Sequence, residues 1–520
     1  MPDTQQQKEI EDMARRLRVS PERVDAILRA KRATNMREKL EGFNKERILL
    51  EQGDPEAIRR QHEKGRLTAR ERVNKLLDPG SFEELGVWQR NGVIAGYGEV
   101  NSRPVTVWAR DVTEGTIQPT KIHTAMERAV AARTPIVGIF DSPGVNAQDA
   151  IQHPDFFSAT RMAYSLTLAS GVIPTISLVM GECSGELSIV AGLADFLFMV
   201  RNTSYMHLAP PPRGMTGQEF GDAWNVHAKV TGCCAVLADN DEDCLRECRQ
   251  LLGYLPSHST EMPPVVDTGD DPNRREEELM EFVPVDASKP YSMYRVLSLI
   301  VDNGEFFELK RHWTRNLITG FARLDGHTVG IIANNPQDKG GCLTLDAADK
   351  MSRHVRFCDA FNIPIIWVSD NPAFLPAIDE ETRGLIRHGA GCIMANSETT
   401  VPMITLILRK QYGGGNLAMG LSRDLMVAWP TYEGGTMNAE AAVAIRYKRE
   451  LEAIADEAKR KEQEKRRIEE VQWGWDMQAR MGASNIIDPR DSRRYLIGVL
   501  KWLRNKKQEW APRKHENIRI

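Results

Sequence analysis

Apolar residues at helical spacing among dense Lys, Arg and Glu mark residues from about 5 to 75, as in MREKLEGFNKERILLEQ. That pattern predicts exposed or subunit-contacting helices, an arm and not a catalytic core. From about residue 90 the texture changes to β-branched runs cut by Gly and Pro and alternating with helical segments, which predicts an α/β architecture. After about 440 the run RYKRELEAIADEAKRKEQEKRRIEE keeps a helical period and predicts a solvated helix face. The closing DPRDSRRYLIGVLKWLRNKK offers Asp488 or Asp491 as a helix start. Its apolar stripe at Tyr495, Leu496, Val499, Leu500 and Leu503 is expected to pack back on a domain.

The pattern between these ends repeats once. NGVIAGYGEVNSRPVTVWARD answers to NLITGFARLDGHTVGIIANN, and both read strand, turn, strand. TPIVGIFDSPGVNAQDA, with Asp141, answers to IPIIWVSDNPAFLPAID, with Asp370; GVIPTISLVMGECSGE answers to TVPMITLILRKQYGGG. Glycine follows aspartate by 44 residues in both halves, from Asp141 to Gly185 and from Asp370 to Gly414. Amphipathic helices, KIHTAMERAVAART and AADKMSRHVRFCDAFN, precede the two aspartate strands. The chain therefore reads as two homologous domains, and its length of 520 residues also exceeds what one core usually fills.

Composition changes this picture little. With 41% apolar and 27% charged residues the chain is an ordinary globular one, and a net charge of -4 gives no global reason to expect nucleic acid binding. The eight cysteines lie in apolar or helical contexts without disulfide-like or zinc-like spacing, so they read as reduced, buried thiols. No secretory signal or bilayer-length apolar stretch appears, which predicts a cytoplasmic protein.

A strand that ends in Gly-rich backbone before a helix presents free N–H groups, and a thioester or carbamoyl oxygen gaining charge is stabilised by such donors. Gly185 with Glu186, and Gly413, Gly414 and Gly415, form two such loops. A single glycine loop is as well explained by positive φ or close packing; duplication at matched spacing favours function. His123, His207, His227 and His388 can titrate near neutrality but are commonly structural. Asp141 and Asp370 can simply cap turns, and Lys121, Lys339 and Lys350 can simply be solvated. No GxSxG elbow, GxxxxGK[ST] loop or GxGxxG before a helix is present, which disfavours serine-triad hydrolysis, nucleotide hydrolysis and hydride transfer.

From roughly residue 35 to the end the chain resembles the carboxyltransferase (β) subunits of biotin-dependent acyl-CoA carboxylases, transcarboxylases and decarboxylases, propionyl-CoA carboxylase β among them. The resemblance is carried by HEKGRLTARERVNKLLDPGSFEELG, SGVIPTISLVMGECSGE, RFCDAFNIPII, IRHGAG, RKQYGGG, AWPT, IDPRDSRR and RKHENI. It implies two tandem crotonase-like domains, at 81–285 on the acyl-CoA side and 286–445 on the biotin side, with helical extensions at 1–80 and 446–520. It further implies that Gly185 and Glu186 form one oxyanion hole, for the acyl-CoA enolate, and Gly414 and Gly415 a second, for the biotin ureido oxygen. Gly144, Asn146, Ala373, Phe374, Tyr412 and Gly413 would line the two binding sites, and no metal is expected.

The implied activity is carboxyl transfer between carboxybiotin and an acyl-CoA across neighbouring subunits of a homo- or hetero-hexamer. No AMKM-like biotinylation site is present, so biotin would arrive on a separate carrier protein, with a biotin carboxylase subunit as a further partner. The chain departs from the family where FTVxGGSLG becomes DVTEGTIQPTK, DSGGARIQEG becomes DSPGVNAQDA, CAGG becomes Cys183-Ser184-Gly185-Glu186, DVPGFLPG becomes DNPAFLPA and MGAEGA becomes MNAEAA. These changes point away from a common short acyl-CoA. They leave room for a malonyl- or glutaconyl-type decarboxylase with or without biotin, a non-catalytic structural paralogue, and a CoA thioester hydrolase or isomerase.

Overall fold

Among the described residues sixteen strands account for the period-2 and continuous apolar runs, and they assemble as two sheets of the same design. The computed structural model describes residues 4–17, 19–89, 92–114, 120–142, 158–420, 424–514 and 517. In the first sheet the strands are β1 (Glu83–Glu84), β2 (Val93–Val100), β3 (Arg103–Arg110), β4 (Ile136–Ser142), β5 (Thr175–Ser184), β6 (Phe196–Val200), β7 (Tyr205–His207) and β8 (Val236–Ala238). In the second they are β9 (Phe306–Leu309), β10 (Leu317–Leu324), β11 (His327–Asn334), β12 (Ile365–Asn371), β13 (Met403–Tyr412), β14 (Leu425–Ala428), β15 (Glu433–Gly435) and β16 (Asn485–Ile486). The spatial orders are β1-β2-β3-β4-β5-β6-β8, with β7 on β5, and β9-β10-β11-β12-β13-β14-β16, with β15 on β13. Every strand of one sheet has its counterpart at the same place in the other. The repeat seen along the chain is thus a repeat of topology.

Each sheet opens with an antiparallel hairpin and continues parallel. The central parallel strands β4 and β12 are buried at all seven positions, as strands covered on both faces must be. Helices Thr120–Ala132 and Leu345–Ala360 precede β4 and β12, at the two amphipathic segments. The chain divides into two units, Met1–Ala223 with Leu237–Arg249, and Trp224–Val236 with Gln250–Ile520.

The charged tail forms helix Glu457–Gly482, no residue of which is buried. Helix Ser492–Leu503 packs its stripe on the second sheet: Leu496 and Val499 join the core of Val368, Leu406 and Trp429, flanked by Tyr495, Leu500 and Leu503. Asp488 caps the short turn before it, and Trp429 Nε1 donates to Ser492 Oγ at 2.9 Å.

The amino-terminal helices depart from a simple arm. Helix Ala69–Leu76 starts on a capping box, in which Thr68 and Glu71 satisfy each other's amides, and this sets its register. That register drives Arg72 into the interior, where it donates to Asp141 Oδ2 and Asp241 Oδ2 at 2.8 Å each and to the Met180 carbonyl at 2.8 Å. Burial opposes the guanidinium charge, but the two carboxylates more than offset it and raise its pKa. Removing one member of such a pair strands the others without water or counter-charge. Arg72→Ala is therefore expected to destabilise the protein by about 3–5 kcal/mol in urea unfolding, whereas neighbouring Arg70→Ala should cost far less because Arg70 is partly solvated.

Candidate active site

The two sheets break their regular pairing at the same place. On β4, Phe140 faces Val179 and Ser142 faces Cys183; on β12, Ser369 faces Ile407 and Asn371 faces Gln411. Both breaks flank the repeated aspartate. This register makes Gly185 the counterpart of Gly413 and Glu186 that of Gly414, not the Gly185–Gly414 match that equal spacing suggested. The stretch from Ser142 to Cys183 is one residue longer than that from Asn371 to Gln411. Backbone geometry agrees, since Gly185 and Gly413 both take left-handed φ, 68° and 57°.

Each aspartate is held by an arginine reached along a different route. Asp370 lies 2.8–2.9 Å from Arg409, the counterpart of Gly181, and Arg409 also donates to the carbonyls of Pro284, Asp286 and Lys289. In the first sheet a side chain at Gly181 would run into Asp141, and Arg72 comes instead from the amino-terminal helix. These aspartates are buried ion-pair partners as well as turn neighbours.

In the first loop the Gly185 N–H already donates to the His207 carbonyl at 2.9 Å, and the Ser188 amide and hydroxyl take the Gly185 carbonyl. The amides of Glu186 and Leu187, first in helix Glu186–Gly192, have no acceptor within the helix. Beside them Tyr205 OH donates to Glu182 Oε2 at 2.6 Å; burial first and this carboxylate second push the phenol up. Ser142 Oγ is buried without a partner. Gly144 and Asn146 lie outside the described residues, as does 115–119 of the divergent DVTEGTIQPTK stretch.

In the second loop Gly413, Gly414 and Gly415 open helix Gly413–Ala418 and offer three amides without intrahelical acceptors. Phe374 stands against this turn, 3.6 Å from where a Gly414 side chain would begin and 3.4 Å from that of Gly389. Ala373 is fixed through its carbonyl, which accepts from Leu343 N–H at 2.9 Å, while Leu375 N–H returns to Leu343 O at 2.7 Å. Tyr412 turns its hydroxyl to Glu433 at 3.2 Å, and burial first and that carboxylate second push it up, so it serves as a neutral donor. Asn371 is fully buried with neither amide atom partnered, and its Nδ2 occupies the space a Gly415 side chain would need.

Glycine at 415 and asparagine at 371 thus form one packing unit.

Other sequence candidates fall elsewhere. Lys350 is buried and donates to the carbonyls of Lys310, Trp313 and Leu317, its pKa lowered to about 7 by burial, and buried Lys121 donates to Val93 O. Neither is a solvated phosphate contact. His388 pairs with Asp349 at 2.7 Å. Cys233 is exposed and Cys342 half-buried, contrary to the expectation of buried thiols, because both sit on loops. Arg72, Ser142 and Asn371 escaped the sequence reading. All three lie inside quoted motifs, as Arg409 lies inside RKQYGGG, but nothing in those strings singles out their side chains.

Residues 60–518 match the family described as Carboxyl transferase domain. The methylmalonyl-CoA decarboxylase subunit alpha of Veillonella parvula is 39% identical, with 93% of this chain and 99% of that protein covered. The propionyl-CoA carboxylase carboxyltransferase subunit of Haloferax mediterranei is also 39% identical, over 90% of this chain and 96% of its own. A transcarboxylase 12S crystal structure, described as a hexamer assembly with methylmalonyl-coenzyme A and methylmalonic acid bound, superimposes with a TM-score of 0.88 at 34% identity, covering 94% of this chain and 99% of that one. The tandem crotonase-like fold implied by the sequence is the fold observed.

The Asn371–Gly415 packing unit is testable by coupling. Gly415→Ala should destabilise by about 1–3 kcal/mol through overpacking. Adding Asn371→Ala should recover most of that loss in thermal unfolding; additive losses would mean the two residues are independent.

Proposed function

The chain belongs to the carboxyl transferase domain family, and we propose that it moves a carboxyl group between biotin on a separate carrier protein and an acyl-CoA. The observation that carries this reading is the duplicated strand-to-helix turn, one at Gly185–Glu186 and one at Gly413–Gly415, on topologically equivalent strands. Carboxyl transfer develops negative charge at two oxygens, on the thioester and on the carrier, and so calls for two arrays of fixed donors.

In the first domain, assigned to the acyl-CoA with Gly144 and Asn146 among its lining, the Glu186 amide and its neighbour Leu187 would meet the thioester oxygen as the enolate forms. Gly185 shapes this turn through its left-handed φ, its own amide being held by His207. In the second, assigned to biotin, Gly414 and Gly415 would donate to the ureido oxygen, with Gly413, Ala373, Phe374 and Tyr412 shaping the wall. Bound biotin would supply the transferable carboxyl group. The chain's own contribution is to orient both partners and hold the charge, without a side-chain nucleophile.

The same arrays serve transfer in either direction. The reading includes acyl-CoA carboxylation and decarboxylation, a cytoplasmic setting, and a hexamer that meets a biotin carrier or biotin carboxylase subunit. It assigns domains at 81–285 and 286–445 between helical extensions at 1–80 and 446–520.

Two measurements test it. Mass spectrometry of the untagged protein from its native source should recover a biotinylated partner; a bound dicarboxylic CoA ester with no biotin protein would instead favour a biotin-independent decarboxylase. Gly414→Pro removes one backbone donor and should lower carboxyl transfer between the acyl-CoA ester recovered with the protein and a biotinylated carrier by about 100-fold or more while assembly persists. Normal turnover of an assembled variant would refute the second-array assignment.

A further inference from the structure

We propose that Lys350 is a positioning residue for the second amide array: its buried ammonium fixes the loop between β9 and β10, and that loop holds the backbone bridge that carries Phe374. The inference rests on the reading of Gly413–Gly415 as the biotin-side array. Lys350 lies in the second turn of helix Leu345–Ala360 and is 2% exposed. An ammonium has three N–H donors and no acceptor. Here three main-chain carbonyls take them, Lys310 O at 3.1 Å, Trp313 O at 3.2 Å and Leu317 O at 2.7 Å. Those carbonyls span the whole connection from the end of β9 at Leu309 to the start of β10 at Leu317.

The same device occurs in the first unit. Strand register makes Glu84 the counterpart of Glu308, Val93 that of Leu317 and Val137 that of Ile366. Lys121 and Lys350 both stand 16 residues before Val137 and Ile366. Lys121 Nζ donates to Val93 O at 3.2 Å and lies 3.8 Å from Glu84, while Lys350 donates to Leu317 O and is faced by Glu308. A buried lysine, a carboxylate and the carbonyl at a strand start therefore recur together. To this shared contact Lys350 adds the carbonyls of Lys310 and Trp313.

The loop that Lys350 binds is a strained one. Lys310 and Thr314 take left-handed φ, 54° and 41°. A β-branched residue such as threonine adopts that conformation only where its surroundings enforce it. Trp313 N–H turns back to Lys310 O and Leu317 N–H to Thr314 O, at 3.1 Å each. The ammonium reaches both turns.

From this loop the contacts run on to the wall of the array. Thr314 Oγ1 donates to Asn316 Oδ1 at 2.7 Å, which leaves it to accept from Thr344 Oγ1 at 3.0 Å. Thr344 in turn accepts from Ala347 N–H at 3.1 Å, capping the helix on which Lys350 sits. Asn316 Nδ2 donates to Cys342 O at 2.6 Å. Cys342 and Thr344 are thereby held on either side of Leu343. Leu343 grips the next segment by both of its backbone groups, Ala373 on one side and Leu375 on the other, and Phe374 lies between these anchors. Each link from Lys350 to Phe374 is a hydrogen bond or a neighbour in the chain. Phe374 is the side chain that stands against Gly414.

Lys350→Met keeps the length and the apolar stem but leaves three buried carbonyls without their donor. The loop is then free to relax from its left-handed turns, and the wall moves with it. A lysine that only stabilised the fold would loosen both ligand sites alike; one that positions this wall acts on the biotin side.

The test uses the full-length protein. Hydrogen exchange read by peptide mass spectrometry should show faster exchange in Lys350→Met at the loop and at Leu343 and Leu375, while β4 and β5 of the first unit keep their protection. Ligand-observed NMR titrations should show free biotin weakened by about tenfold and coenzyme A held within about twofold. Asn316→Ala cuts the link at Cys342 and should give the same pattern, adding little when combined with Lys350→Met. Lys121→Met removes the matching lysine and should leave the biotin affinity and the protection of Leu343 and Leu375 as they are. Unchanged protection at Leu343 and Leu375, or unchanged biotin affinity in a folded variant, would overturn the proposal. So would equal weakening of both ligands, or the same loss in Lys121→Met. If Lys350→Met does not fold, Asn316→Ala decides by the same two readouts. A wild-type protein that binds no biotin overturns the biotin reading of the second array instead, and exchange at Leu343 and Leu375 then decides the role of Lys350 alone.

Discussion

A carboxylate buried at the end of a parallel strand has to be matched or protonated, and in this protein two of them are matched by arginine. Asp141 meets Arg72 and Asp370 meets Arg409, all four side chains at 3% exposure or less. Each pair lies where the strand pairing breaks, so the charge that must stay neutralised is also the clamp that fixes the irregular end of the strand. The glycine turns that follow on β5 and β13 depend on those ends. Donors useful to a developing oxyanion must be placed before the reaction, and rigid strand ends place them.

The duplication kept this constraint and changed the means. In the second unit the arginine sits on the strand itself, inside RKQYGGG. In the first unit the equivalent residue is Gly181, which vacates the space, and Arg72 arrives from a helix more than 60 residues before Asp141. Sixteen strands in two equal orders show that topology was conserved through this exchange. The loops diverged more freely. Ser142 and Asn371 occupy matching positions with different polar groups, and Glu182 stands where the second unit has Lys410. Two arrays of backbone amides can therefore share a geometry while the side chains around them prepare different ligands.

Backbone donors make this divergence tolerable. Glu186, where the resemblance implies a glycine, still offers its amide, because the N–H belongs to the helix start and not to the side chain. Gly415 is constrained for another reason, since the Asn371 amide fills the volume of its missing side chain.

Fold class, duplication and family were legible in the sequence, because apolar periodicity and turn residues are local and the two halves repeat them in order. The glycine turns were legible too, as was the stripe of the last helix from Tyr495 to Leu503. Tertiary structure alone decided the pairing of the turns, since a one-residue difference between the aspartate and glycine strands moves the partner of Gly185 from Gly414 to Gly413 and only strand register records it. It also decided which cations stand in the interior. Lys350 and Arg72 look like other basic residues in charged helices, and burial is a property of what packs around them, not of their neighbours in the chain.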